Sequence, residues 1–268
     1  MAVTRRGYIF GAFLSSVMCV GFLMIAIASE SWIESTASAS VQSQDSIVRY
    51  GLFKGDVILH NLATPSQNVL YMTCVPTINA CAVSCKTELE ARREEVIALA
   101  KRFRPNQACV SYTTVDETDL LEKPAVISYG VYVSLVALLC LQLALALVAA
   151  GLAIVNATKN PTEPIFGLPG CLYANIATSV VGLVVLLIFG IYWASSGWQE
   201  HLAFSYIALG LFVPAPGIGF SYWVLIPALF CSITNIGLIL LRRYLLERDP
   251  PPPTIKIDNH ADGNIFLY

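Results

Sequence analysis

The chain has 268 residues, 56% apolar and only 13% charged, with a net charge of −2 and a mean hydropathy of +0.66. Soluble globular chains run about 45–50% apolar and about 25% charged, so an apolar surplus of this size cannot be hidden in one water-soluble core. The weak net charge excludes the basic field that nucleic-acid binding needs, and no nucleic acid is expected as a partner.

The placement of the charges sets the class. No Asp, Glu, Lys or Arg occurs in the 23 residues between Arg6 and Glu30, the 35 between Lys123 and Lys159, the 36 between Glu163 and Glu200, or the 41 between Glu200 and Arg242. A bilayer core takes about 20 apolar residues per helix, and a mid-membrane Lys, Arg or Asp costs about 2.5–3.5 kcal/mol. Membrane helices are therefore expected at 8–29, 127–155, 171–193 and 220–241. The expected fold class is an all-α membrane protein: a four-transmembrane-helix bundle with a large disulfide-bearing first extracellular loop holding a short β-sheet and one helix.

In chain order, a tail (1–7) precedes the first helix. Ala26-Ile27-Ala28 before Ser29 has the form of a signal cleavage site. The apolar stretch from Tyr8 to Ala28, 21 residues long, nevertheless exceeds the usual signal core of about 7–15, so a retained helix is expected. Loops follow at 30–126, 156–170 and 194–219, and a tail at 242–268. Lys and Arg gather at Arg5, Arg6, Lys159, Arg242, Arg243, Arg248 and Lys256, while 194–219 has none. Both termini are therefore expected in the cytosol, with 30–126 and 194–219 outside.

The first loop holds Cys74, Cys81, Cys85 and Cys109. Four cysteines in an oxidising compartment point to two disulfides, with three connectivities open. The Cys81-x-x-x-Cys85 spacing also suits zinc, but well-spaced partner ligands are missing, so no metal and no cofactor is expected. Cys19, Cys140, Cys171 and Cys231 fall in or beside the membrane segments and are read as small packing residues.

One helix is expected over Thr87–Arg104. Thr87 and Glu90 form a T-x-x-E capping box, Glu88 and Arg92 an i,i+4 pair, and Pro105 stops the run. Leu89, Val96, Leu99 and Phe103 make its apolar stripe, and the run Arg92 to Glu95 its solvated side. Upstream, Ile47–Leu59 reads as two short strands bent at glycine. Asn156-Ala157-Thr158 is a formal sequon, placed by this topology at the cytosolic edge and out of reach of glycosylation.

The membrane helices carry amides and small residues in place of titratable groups. Gln142, Asn175 and Asn235 can hydrogen-bond between helices, and Gly7, Gly11, Ala146, Ala149, Ala150 and Ala153 permit close approach. The expected use is packing within the bundle, with self-association or a partner helix as the alternative. Transporters, acidic-ring channels and intramembrane hydrolases need ionisable groups inside the membrane, so no enzyme activity is expected. Pro227 should kink the fourth helix. Trp32 and Trp193 read as interfacial belt residues.

In the tail, Pro250–Pro253 favour a stiff extended spacer, with SH3 or WW recognition the alternative. Phe266-Leu267-Tyr268 has the Φ-x-Φ form that adds as a strand to a PDZ scaffold.

Several motifs stand in one order along the chain: Trp32-Ile33 after the first helix, Tyr50-Gly51-Leu52-Phe53-Lys54-Gly55, and the run Leu145 to Asn156 leading into Pro161. Gly167-Leu168-Pro169-Gly170-Cys171-Leu172-Tyr173, Ser221-Tyr222-Trp223, Asn235 and the final Leu267-Tyr268 follow. In these the chain resembles the clarins, a four-span family distantly related to the claudins. It differs in lacking a first-loop sequon and in carrying four cysteines between 71 and 110. The resemblance implies a plasma-membrane organiser of sensory hair cells and photoreceptors. It also implies links to actin-rich projections, mechanotransduction and clustered channel subunits. A claudin-like adhesion or paracellular barrier role is the alternative.

Overall fold

The computed structural model of the protein describes residues 2–38, 46–60, 65–105, 109, 115–121, 123–158, 163, 165–196 and 213–248. The tail motifs Pro250–Pro253 and Phe266-Leu267-Tyr268, and with them Lys159, Pro161 and Lys256, lie outside the described residues.

Four helical stretches are long and apolar enough to cross a membrane. They are α1 (Ala2–Ala28), α3 (Tyr129–Thr158), α4 (Leu168–Ser195) and a last stretch divided into α5 (Phe220–Trp223) and α6 (Leu225–Arg248). A shorter helix, α2 (Leu89–Ala100), lies between α1 and α3. The break before α6 has a local cause. Pro227 has no N–H to give the carbonyl of Trp223 four residues back, so α5 stops at that residue and α6 starts afresh. Each long helix overruns its expected span by a few residues, because backbone hydrogen bonding continues past the apolar core. In the last turn of α6, Arg248 suits the negative end of the helix dipole.

The helices close a ring: α1 packs on α3 and α6, and α4 packs on the same two. Ala146, Ala149, Ala150 and Ala153 of α3 are all buried at these contacts. Gly11 lies 3.6 Å, measured from the position of an added Cβ, from Leu238 of α6, whereas Gly7 faces open space. Cys19 and Cys171 are buried as packing residues, but Cys140 is exposed on the outer face of α3.

The expected all-α class with a short sheet is corrected by a seven-stranded antiparallel sheet at one end of the bundle. Its strands are β1 (Ile33–Ser38), β2 (Ser46–Tyr50), β3 (Lys54–Leu59), β4 (Ser66–Val75), β5 (Ala80–Ser84), β8 (Ile127–Ser128) and β9 (Val213–Ile218). The spatial order is β8-β5-β4-β3-β2-β1-β9. A separate pair joins β6 (Phe103–Pro105) to β7 (Val115–Leu120). β2 and β3 are the expected bent pair, turning at Gly51-Leu52-Phe53. Val48, Tyr50, Val57, Leu59 and Leu70 fill one face of the sheet, continuous with the bundle core. β9 closes the outer edge with Pro214 and Pro216, which cannot donate to a further strand.

The ectodomain-type helix is also corrected. α2 begins with Glu88 as its cap residue and no side-chain cap, so the Thr87 box does not form. Arg92 sits 4.7 Å above the Tyr71 ring, and Glu90 pairs with Arg93 at 2.9 Å instead. Of the run Arg92 to Glu95, Arg93 and Glu94 are exposed as expected, but Glu95 is fully buried, and Leu89 is half-exposed. Phe103 belongs to β6, beyond the end of the helix.

The four loop cysteines form two disulfides, Cys74–Cys81 and Cys85–Cys109. The first joins directly opposed residues of β4 and β5. The second ties the end of β5 to the segment ahead of β7.

Candidate functional site

The motif residues of the first loop converge where the sheet meets the helices. Trp32, one turn beyond α1, turns back and donates its indole N–H to the Ala26 carbonyl at 2.6 Å, satisfying an acceptor that the helix end leaves open. Its ring meets Phe189 of α4 edge-on at 5.1 Å and Tyr222 of α5 at 6.4 Å, while Phe189 and Tyr222 stack at 5.2 Å. The Tyr222 hydroxyl donates to the Leu186 carbonyl at 3.1 Å. One aromatic cluster therefore holds the ends of three spans. Trp32 is fully buried there, and Trp193 is buried within α4, so neither is a belt residue; Trp223 and Phe220 are exposed at that level instead.

The backbone completes the clasp. The amide of Trp32 donates to Tyr50, that of Gly219 to Trp32, and that of Ser221 to Ser31, at 2.9–3.0 Å. Gly51 and Gly219 are glycines because a Cβ on either would run into the carbonyls of Ser29 and Ser31. Gly55 lies equally close to Tyr50 and the Arg49 carbonyl. Tyr132 of α3 donates its hydroxyl to the Leu52 carbonyl at 2.9 Å, which brings the fourth span into the clasp. Phe53 alone of the Tyr50-to-Gly55 motif offers a large exposed apolar surface. Gly167 and Gly170 serve the opposite end: Gly167 caps α4, and a Cβ on Gly170 would overlap the Ile165 carbonyl. Asn156 fixes the same link, donating to Leu152 and Phe166 at 2.8 Å each.

Deeper in the bundle the amides part ways. Asn235 donates to Ser16 of α1 at 2.9 Å and to Asn175 of α4 at 3.0 Å, so one side chain ties three helices. Asn175 in turn donates to the Cys171 carbonyl at 2.8 Å, and the Cys171 thiol faces the Ala149 carbonyl of α3 at 3.7 Å. Gln142 is fully buried against Gly182, and neither its nitrogen nor its oxygen has a partner among the described residues. Ser16 completes this network without a motif to announce it, since a serine in an apolar helix looks like any small residue. All three amides, with Ala146 and Ala150, face the interior and not the lipid.

The outer face of the sheet is the polar surface. Glu30, Arg49, Lys54, Asp56, Gln67 and Tyr71 border an open groove of about 570 Å³. Arg49 and Asp56, opposed on β2 and β3, pair at 3.1 Å, and that contact raises the guanidinium pKa. Behind the sheet, the Ser84 hydroxyl donates to the buried Glu95 carboxylate, close to the buried Lys86. Burial raises the Glu95 pKa against the lowering pull of Ser84 and Lys86, and burial lowers that of Lys86. Arg49 and Asp56 were not singled out in the sequence, where one Arg and one Asp seven apart carry no signal until the hairpin register opposes them.

No cluster of three or more His, Cys, Asp or Glu able to hold a metal occurs among the described residues. Comparison with protein-family models and with curated proteins finds no match.

Proposed function

We propose that the protein is a clarin-like membrane organiser, a non-enzymatic scaffold of the plasma membrane with both termini in the cytosol. It binds neighbouring membrane proteins laterally, channel subunits among them, and couples through its tail to a PDZ or cytoskeletal scaffold at an actin-rich cortex. The observation that carries this reading is the clasp around Trp32, which joins a seven-stranded sheet to all four spans. A scaffold needs an outer surface whose orientation is fixed by its anchor, and such a joint supplies one. The interior supports the same reading: Asn235, Asn175 and Ser16 bond to one another, leaving the outer helix faces to lipid and neighbours. In sensory cells, proximity labelling from the tail should recover channel subunits and actin regulators. Recovery of junction scaffolds in their place would overturn it.

A second reading, claudin-like adhesion or a paracellular barrier, draws on the charged groove beside the Arg49–Asp56 pair. Changed transepithelial ion selectivity on expression in barrier-free epithelial cells, lost on charge reversal at Lys54, would favour it over the organiser.

A further inference from the structure

At the bundle end away from the sheet, α4 and α6 leave a groove of about 240 Å³, lined among others by Leu168, Pro169, Leu172, Ile239, Leu240 and Arg243. Its walls are mostly apolar, with the Arg243 guanidinium and the exposed Tyr173 contributing the polar side-chain groups. Two observations bear on what fits there. Arg243 meets Glu247 at 3.0 Å, but both side chains are about two-thirds or more exposed, so the pair is weak and open to exchange. The first turn of α4, which gives Leu168 and Pro169 to the wall, has no side-chain cap, and a helix start favours an anion.

We propose that this groove holds one anionic glycerophospholipid, an acyl chain lying along Leu172, Ile239 and Leu240 and the phosphate meeting Arg243 and the start of α4. A zwitterionic lipid fills the slot equally well and brings a phosphate too, but its choline cation offsets that charge and weakens the net attraction to Arg243. A soluble phosphate meets the cation but forgoes the apolar wall. The site rests on the four membrane-spanning helices and not on the organiser reading, which stands or falls separately.

The test is native mass spectrometry of the delipidated full chain in detergent, offered equal phosphatidylserine and phosphatidylcholine. A cation near the membrane surface favours an anionic lipid by about fivefold, and that preference is expected for the first lipid bound. It should vanish in Arg243→Gln, persist in Arg243→Lys, and persist in Arg248→Gln, which removes the same charge from the same end. Soluble glycerophosphoserine should not displace the lipid. Equal retention of both lipids, equal loss in Arg243→Gln and Arg248→Gln, or displacement by the soluble headgroup would each overturn the proposal. Arg243 is exposed, so its variants fold, and an unchanged far-ultraviolet spectrum verifies this.

Discussion

Trp32 donates its indole N–H to the carbonyl of Ala26, six residues back, at 2.6 Å. The bond closes the end of α1 and holds the ring against Phe189. Trp32→Phe keeps an aromatic ring but leaves the Ala26 carbonyl only the longer contact from the Ser29 hydroxyl at 3.5 Å, at an expected cost of about 0.5–1.5 kcal/mol. Trp32→Ala also empties the cluster, for about 3–5 kcal/mol. Thermal unfolding in detergent gives the ranking, and hydrogen exchange should show β1 and the end of α1 losing protection together.

Two buried amides should behave in opposite ways. Asn235→Leu removes bonds to Ser16 and Asn175, and interhelical bonds of this kind in membranes are worth about 0.6–1.7 kcal/mol each. Gln142→Met keeps the length and removes two buried polar atoms that lack partners, so it should be neutral or stabilising. Unfolding midpoints of the two variants in the same detergent should move apart, Asn235→Leu down and Gln142→Met level or up.

The disulfides should rank by the loop each closes. Cys85 and Cys109 are 24 residues apart and Cys74 and Cys81 only 7. Loop-closure entropy then assigns about 3.5 kcal/mol to the first and about 2.5 kcal/mol to the second. Paired Cys→Ser variants, compared by thermal unfolding without reductant, should show the larger loss for Cys85–Cys109. Peptide mapping of the unreduced protein should return these two pairings.

Glu95 gives the sheet unit a pH dependence. Burial raises its pKa in the fold above the unfolded value of about 4.3. Between those two values the folded state binds more protons than the unfolded one. Stability from this group therefore rises as pH falls through the folded pKa, is complete below the unfolded value, and is lost again as pH rises. Glu95→Gln cannot titrate, though it can still accept from Ser84. The acid-limb difference between the native chain and this variant, followed by unfolding midpoints from pH 7 to pH 4, should show the native chain gaining relative to Glu95→Gln.

The spans were legible because a missing charge over 20 or more residues is a one-dimensional signal, blurred only at the ends. The sheet was not, for three physical reasons. β1 reads Ile-Glu-Ser-Thr-Ala-Ser, too polar to announce a strand, and all five residues of β5 are buried, so it shows no alternation. β9 carries two prolines and pairs Ile218 with Ile33 from the far side of the sequence, a partnership no local window contains. The Gly51 bend could be read because glycine marks backbone contact directly. Trp32 could be read as important but not as buried, since a tryptophan past a membrane helix serves a belt and a core equally well. Glu95 misled because its place in a charged run put it with the exposed Arg93 and Glu94, whereas the helix turn carries it round to Ser84 of β5.

We propose that this molecule acts by holding neighbours and not by passing a solute. Purified full-length protein reconstituted in liposomes, assayed for sodium, potassium, calcium and chloride flux, tests it most directly. Permeability equal to protein-free liposomes is the expected result. A flux that scales with protein and is altered by Asn235→Leu or Gln142→Met would contradict the account.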